Sequence, residues 1–434
     1  MKYYSTNKSV PEVSLSEAVI KGLARDNGLF MPERIDRLPD EFFVRMPEMS
    51  FQEMAFEVAK VFFGEDVPEA KLREIVFDAL NFETPVVPVS ENSYSLELFH
   101  GPTLAFKDVG ARFMARMLGY FIEQKGDHKP VTVLVATSGD TGSAVANGFL
   151  GVPGIEVVVL YPKGKVSGIQ ESQFTTLGKN ITALEIEGTF DDCQRLVKKA
   201  FLDEELNQKM NLSSANSINV ARFLPQAFYY FNAYAQLMRK GEADEVVFCV
   251  PSGNFGNLTA GLFAKRMGLP VKRFIAANNL NDIFLEYLQT GEYKPRPSVA
   301  TLANAMDVGD PSNFVRILDL YGHSHDAITA DISGARYTDD DIRRIVKDTF
   351  ENTGYLLDPH GACGYQALLD GLRAGETGVF LETAHPAKFK ETVDAITGGD
   401  VEIPEKLQAF MKGAKQSIEM EADFDLFKAY LLQR

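Results

Sequence analysis

The chain has no tryptophan, only three cysteines and only six histidines among 434 residues. Cys193, Cys249 and Cys363 are far apart and form no Cys-x-x-Cys spacing, which argues against a disulfide framework or a zinc site. Cys249 falls inside an apolar run and reads as a small core residue. The histidines form no His-Glu-x-x-His pattern, so no metal is expected. No run of about 18 apolar residues occurs. The start, Met1-Lys-Tyr-Tyr-Ser, lacks the apolar centre of a signal peptide. The expectation is a cytoplasmic protein with no membrane partner. Positive charge is also in short supply: 44 basic against 60 acidic residues give a net charge of −16. That balance opposes nonspecific binding to nucleic acid or anionic membrane. A small anionic substrate must then be met by local basic groups.

What is present suffices for a large core. Hydrophobic residues make up 45% of the chain, and its length allows two or three domains. Residues 1–82 read as mainly helical. Ser14 to Arg25 places Leu15, Ala18, Val19 and Leu23 on one side, and Phe51 to Phe63 repeats Phe51, Met54, Ala55, Val58 and Phe62 at helical spacing. Pro85 and Pro88 punctuate the passage onward. From there short apolar runs alternate with helical segments. Strands are predicted at 131–136, 155–161, 181–186, 245–250, 272–277 and 378–382. Helices are predicted at 141–150, 167–177, 190–201, 220–239, 258–267, 281–289, 338–352 and 362–372. Residues 291–331 show little periodicity and stay unassigned. Buried strands separated by helices imply an α/β fold, with mainly parallel sheets covered by helices on both faces. Ligands of such folds bind beyond the carboxyl ends of the strands. Ser138, Gly253 and Thr383 each follow a predicted strand.

The most informative string is Leu96-Glu-Leu-Phe-His-Gly-Pro-Thr-Leu-Ala-Phe-Lys-Asp108. Lys107 follows Leu104, Ala105 and Phe106 and precedes a predicted helix from Val109 to Phe121. Apolar surroundings disfavour the charged amine and lower its pKa from about 10.4. Such an amine can form a Schiff base with an aldehyde and carry protons. The bland alternative is a surface lysine at a helix start. A second string, Pro251-Ser-Gly-Asn-Phe-Gly-Asn257, joins a predicted strand to a predicted helix. Its amides and the helix dipole make an anion site, unless it is an ordinary tight turn. It is neither a P-loop nor a dinucleotide-binding glycine motif. A phosphate cup plus an activated lysine points to a phosphorylated aldehyde cofactor, and pyridoxal 5′-phosphate fits both halves.

These strings resemble those of the threonine synthases, fold-type II pyridoxal-phosphate enzymes. The matching segments are residues 28–32, 100–108, 136–144, 216–219, 251–257 and 383–389. They run in the family's order and span nearly the whole chain. The resemblance implies a tryptophan synthase β-like fold with two parallel-sheet subdomains. It divides the chain into a threonine-synthase-type N-terminal region (1–82), a pyridoxal-phosphate catalytic region (83–400) and a C-terminal helical extension (401–434). The implied reaction converts O-phospho-L-homoserine and water to L-threonine and phosphate by γ-elimination and β-hydration.

The resemblance also assigns roles. Lys107 would carry the cofactor and move protons. Gly253, Asn254, Phe255, Gly256 and Asn257 would cradle its phosphate, and Thr383 would face its pyridine nitrogen, the alternative being a helix or turn cap. Ser138, Gly139, Asp140 and Thr141 would clamp the substrate carboxylate. The alternative there is a tight turn with Thr141 as helix cap. Many relatives carry asparagine where this chain has Asp140, which leaves the role of Asp140 open. The substrate phosphate needs charge-assisted partners. Arg112, Lys163 and Lys388 are the candidates, each otherwise a solvated charge. A dehydratase or other β-replacement enzyme on the same fold, and a silent homologue that binds a phosphorylated metabolite, are the rival readings. The number of subunits is not set by the sequence.

Overall fold

A computed structural model describes residues 1–126 and 129–434. The chain forms two compact units that ignore chain order. One comprises Met1, Pro32–Phe106 and Phe223–Glu402; the other comprises Lys2–Met31, Lys107–Arg222 and Ile403–Arg434.

The first unit is built on a six-stranded sheet. Its strand order is Ile332–Arg336, Arg273–Asn278, Val246–Pro251, Thr377–Glu382, Ser93–Glu97 and Val86–Ser90. All neighbours are parallel except the last pair, an antiparallel hairpin. Its turn uses Asn92 at φ 55°, a left-handed conformation that asparagine tolerates better than most residues. Val247 and Cys249 point to one face, against Ile345, Val346 and Leu368 of helices Asp339–Thr353 and Pro359–Gly371. Phe248 points to the other face, edge-on to Tyr230 of helix Ala227–Lys240. Both faces are covered, which is why this strand reads as a continuous apolar run. Each fully buried aliphatic or phenyl group here contributes roughly 1.5–3 kcal/mol.

The second unit has a five-stranded, all-parallel sheet. Its order is Ile418–Glu421, Ile181–Glu187, Ile155–Pro162, Val131–Ala136 and Asn211–Ser214. Leu134, Val158, Leu184 and Ile186 pack on Cys193, Leu196 and Ala200 of helix Phe190–Leu202 and on Phe427 and Leu431 of the final helix. Helix Lys107–Lys125 packs on helix Asp140–Phe149 at close range: a Cβ on Gly148 would sit 3.1 Å from the Ala111 carbonyl oxygen.

The alternating strands and helices at the centre follow the sequence reading closely. Four differences have physical causes. The expected helix 220–239 is broken into Val220–Phe223, a 3-10 turn at Leu224–Gln226 and Ala227–Lys240. Pro225 causes the break, since it offers no N–H to the ladder. The N-terminal region is not only helical. Lys2–Ser5, Val13–Ser14 and Phe30–Pro32 form a small sheet, the last being part of the Gly-Leu-Phe-Met-Pro string. The C-terminal segment is not purely helical either, because Ile418–Glu421 adds an edge strand beside Ile181–Glu187. The unassigned stretch holds helices Phe314–Leu320 and His325–Asp331, too short to show a period. Among the described residues no helix is long and apolar enough to cross a membrane, and no cluster of three or more His, Cys, Asp or Glu is arranged to hold a metal.

Candidate active site

In the first unit, strands Val246–Pro251 and Thr377–Glu382 lie side by side, with Cys249 opposite Phe380. They run parallel, so the turn after Pro251 and the segment after Glu382 leave from the same edge. Helix Gly256–Arg266 begins directly after that turn, and Phe255 takes a left-handed φ of 60° to redirect the chain. No side chain caps this helix. Among the described residues, the backbone amides of Phe255, Gly256 and Asn257 find no protein acceptor. An uncapped helix start with convergent N–H groups suits a phosphate.

Side chains brace the turn from behind. Asn257 Nδ2 donates to the Pro251 carbonyl (3.0 Å), and Asn257 Oδ1 pairs with the Ser252 hydroxyl. Tyr230 donates its hydroxyl to the Asn257 carbonyl at 2.8 Å. Asn254 accepts the amides of Ser312 (3.1 Å) and Asn313 (3.2 Å). A Cβ on Gly253 would lie 2.8 Å from Met306 Cα and 2.9 Å from the Ala305 oxygen, so only glycine fits without a shift.

Thr383 is 5% exposed. Its carbonyl accepts the Phe106 amide at 2.8 Å, and Ala384 forms an antiparallel bridge with Ala105. The segment that leads into Lys107 is thus stitched to the segment that bears Thr383. Leu104 adopts φ 56° to allow this, an uncommon conformation for leucine and a local strain. Thr383 caps no helix. The following 3-10 turn is capped by His385, whose Nδ1 accepts the Ala387 amide at 3.1 Å. Burial first, then the neighbouring His100, lowers the His385 pKa to about 4. Lys388 is fully buried rather than solvated, and its Nζ donates to the Thr103 carbonyl at 2.9 Å.

In the second unit, Lys107 is the first residue of helix Lys107–Lys125, two residues earlier than the sequence pattern predicts, and Arg112 follows on the same helix. Strands Val131–Ala136 and Ile155–Pro162 are neighbours, with Ala136 opposite Leu160. Their C-terminal ends therefore bring residues 137–143 and Lys163 to one edge. The turn at Gly139 has φ 142°, and a Cβ there would meet Gln170 at 2.6 Å. The N-cap position is Gly139, and the hydroxyl that serves the turn is that of Thr137, not Thr141: it accepts the amides of Gly139 (2.9 Å) and Gly142 (2.7 Å). Asp140 is buried and accepts from Gln170 Nε2 at 2.9 Å. Ser138 and Thr141 are half-buried. Lys163 sits in an exposed ion pair with Glu419 (2.7 Å) and Glu187 (3.4 Å).

The sequence reading missed Gln170, Asp358, His360 and Glu382. Only Asp358 had a local signal, an acidic residue before Pro359 at a helix start; it caps helix Pro359–Gly371.

Comparison with known proteins gives a consistent identity. Residues 79–382 match the family of pyridoxal-phosphate dependent enzymes, residues 2–80 the threonine synthase N terminus and residues 361–431 the threonine synthase C-terminal region. The threonine synthase of Haemophilus influenzae is 48% identical over 433 residues, covering 100% of both chains. The crystal structure of the Escherichia coli threonine synthase superposes with a TM-score of 0.94 at 44% identity, covering 100% of both chains. The structure of a threonine synthase from Brucella melitensis with pyridoxal phosphate bound superposes with a TM-score of 0.91 at 36% identity, covering 100% of this chain and 99% of that one. The uncapped helix start at Phe255–Asn257 fits the phosphate of that cofactor. The chain belongs to the threonine synthase family of fold-type II pyridoxal-phosphate enzymes.

Proposed function

We propose that this chain converts O-phospho-L-homoserine and water to L-threonine and phosphate, with Lys107 as its proton carrier. The observation that supports this most is the pairing of an uncapped anion-binding helix start with the Thr383 strand end, in a chain that matches threonine synthases over its full length. Bound pyridoxal phosphate supplies a sink for charge developed on the substrate carbons. The amides of Phe255, Gly256 and Asn257 hold its phosphate. The Thr383 hydroxyl faces its ring nitrogen and, being neutral, does not fix a proton there as a carboxylate would. Lys107 is the attachment point.

The remaining steps fall to side chains that bind and move protons. Lys107 Nζ takes the α-proton and then one β-proton from the substrate, phosphate leaves the γ carbon with the electron pair of its C–O bond, and the two protons return, one at the γ carbon after phosphate has left and one at the α carbon as the product forms. Water then adds at the β carbon. The turn 137–143 receives the substrate carboxylate through backbone amides and the Ser138 and Thr141 hydroxyls. Gln170 fixes the orientation of Asp140 behind it. Of the three basic candidates, Lys163 is engaged with Glu419 and Glu187, and Lys388 with Thr103. Arg112 has a partner within the protein as well, so the substrate phosphate must compete for one of these three groups. The biosynthetic character of the relatives supports a cytoplasmic setting. The test is a coupled assay of phosphate release and threonine formation from phosphohomoserine, with serine and threonine offered in parallel. Deamination of serine without use of phosphohomoserine would refute the reading in favour of a dehydratase.

A further inference from the structure

Behind Thr383 lies a buried acid cluster that the proposed reaction does not use. Glu382 and Asp358 are both 0% exposed. Glu382 Oε1 accepts the Asp358 amide at 2.7 Å. Glu382 Oε2 is buried and meets no hydrogen-bond donor. Gly361 makes room for it, since a Cβ there would fall 1.6 Å from that oxygen.

The neighbours decide which acid is ionised. Asp358 accepts the amides of His360 (2.8 Å) and Gly361 (3.2 Å) at the start of its helix, and it contacts His360 Nδ1 at 2.5 Å. His360 Nε2 accepts the Ala305 amide at 3.1 Å, so Nδ1 carries the ring hydrogen and donates to Asp358. Three N–H donors and a helix N-terminus suit a carboxylate at Asp358. Glu382 has one donor for two oxygens. It also stands in register beside Glu97 on the adjacent strand. Glu97 in turn is held by the Tyr355 hydroxyl (2.9 Å) and His100 Nε2 (2.7 Å). A second negative charge buried beside Asp358 is disfavoured, and an orphaned buried oxygen is costly. A proton on Oε2 removes both problems: it cancels the charge and gives Oε2 a bond to donate, and Asp358, whose backbone amide lies 2.7 Å from Oε1, supplies a carboxylate to receive it.

We propose that Glu382 is a positioning residue that shares a proton with Asp358, and that this proton ties the strand end bearing Thr383 to the back of the Gly253 turn. The connection is continuous. Glu382 precedes Thr383. Asp358 holds His360, His360 holds Ala305, and Ala305 and Met306 are the atoms against which Gly253 rests. Burial, then the Asp358 charge, pushes the Glu382 carboxyl well above the ordinary carboxylate range. The sign follows: the tie is intact while Glu382 is protonated and is lost as pH rises through its folded-state pKa. The groups facing it are Asp358 and Glu97, with Tyr355, His360, His100 and His385 behind them.

The positional role rests on reading Thr383 and the Gly253 turn as cofactor-facing; the proton itself can be tested without the cofactor. Infrared spectra of the whole protein, with glutamate alone carbon-13 labelled, should show the carbonyl stretch of a buried, un-ionised glutamic acid near neutral pH. The band should vanish in E382Q. Glutamine keeps both roles, since its oxygen accepts the Asp358 amide and its NH2 donates to the carboxylate. E382Q should therefore retain the cofactor within about threefold of wild type, whereas E382A should lose about tenfold. Wild-type cofactor affinity should fall at alkaline pH more steeply than that of E382Q. A labelled wild-type spectrum without the band overturns the proposal, whatever the variants do. So does an identical alkaline loss of cofactor in wild type and E382Q.

Discussion

Replacing Gly253 with alanine tests the phosphate cup at its tightest point. The new Cβ would sit 2.8 Å from Met306 Cα and 2.9 Å from the Ala305 oxygen. Carbon atoms pack best at about 3.5–4.0 Å, so the contact with Met306 is short by roughly 0.7 Å. Both obstacles are backbone atoms, which cannot rotate away. Either the turn moves or the segment around Met306 moves. Overpacking of this kind costs about 1–3 kcal/mol. The turn is held from behind by hydrogen bonds of Ser252, Asn257 and Tyr230, and a shift of the turn would have to distort them. If it yields, the amides lose their convergence and cofactor affinity falls about 5- to 150-fold. Titration of pyridoxal phosphate into cofactor-free G253A, followed by visible absorbance, measures this directly. The melting temperature of the cofactor-free protein measures the strain itself. G168A is the control, because a Cβ on Gly168 meets nothing within 4 Å. A G253A protein with lowered melting temperature but unchanged cofactor affinity would show that the strain lies elsewhere and that this turn does not hold the phosphate.

Three further outcomes are expected. Borohydride reduction of the holoprotein followed by peptide mapping should place the pyridoxyl group on Lys107; a label on any other lysine removes Lys107 from the mechanism. K388M should lower stability by about 1–3 kcal/mol, because it strips a buried donor from the Thr103 carbonyl; unchanged denaturant midpoints with a raised KM for phosphohomoserine would instead return Lys388 to the substrate phosphate. His385, with its pKa lowered to about 4 by burial and an Nδ1 that accepts an amide, stabilises the fold fully above about pH 6.5. That contribution should be lost as pH falls from about 6.5 toward 4. H385N keeps an acceptor for the Ala387 amide and should flatten this part of the urea-midpoint profile; an unaltered acid limb would show that His385 is not the group responsible.

The central elements were legible in the sequence, for reasons of periodicity, and the groups proposed for the cofactor stand in strings that the sequence itself singles out by their local chemistry. Strand Val131–Ala136 is buried on both faces and reads as an unbroken apolar run. The two glycine turns sit where strand gives way to helix, and Lys107 follows three apolar residues in a string with close family counterparts. Weaker local patterns failed. Half-exposed Val86–Ser90 and the two-residue strand Val13–Ser14 carry too little periodicity to show, and Pro225 split a helix whose apolar pattern runs on across it. Only the tertiary structure decided the rest. Lys388 looks like a solvated charge until the fold brings Thr103, 285 residues away in sequence, onto its Nζ. Lys163 looks available until Glu419 arrives on an edge strand. Glu382 and Asp358 lie 24 residues apart, and nothing in either local sequence says that a strand end and a helix start will bring the Glu382 carboxyl group onto the Asp358 amide. Periodicity reports which face of an element is buried. It does not report which polar groups from distant segments are buried with one another, and that pairing decides where a proton is held.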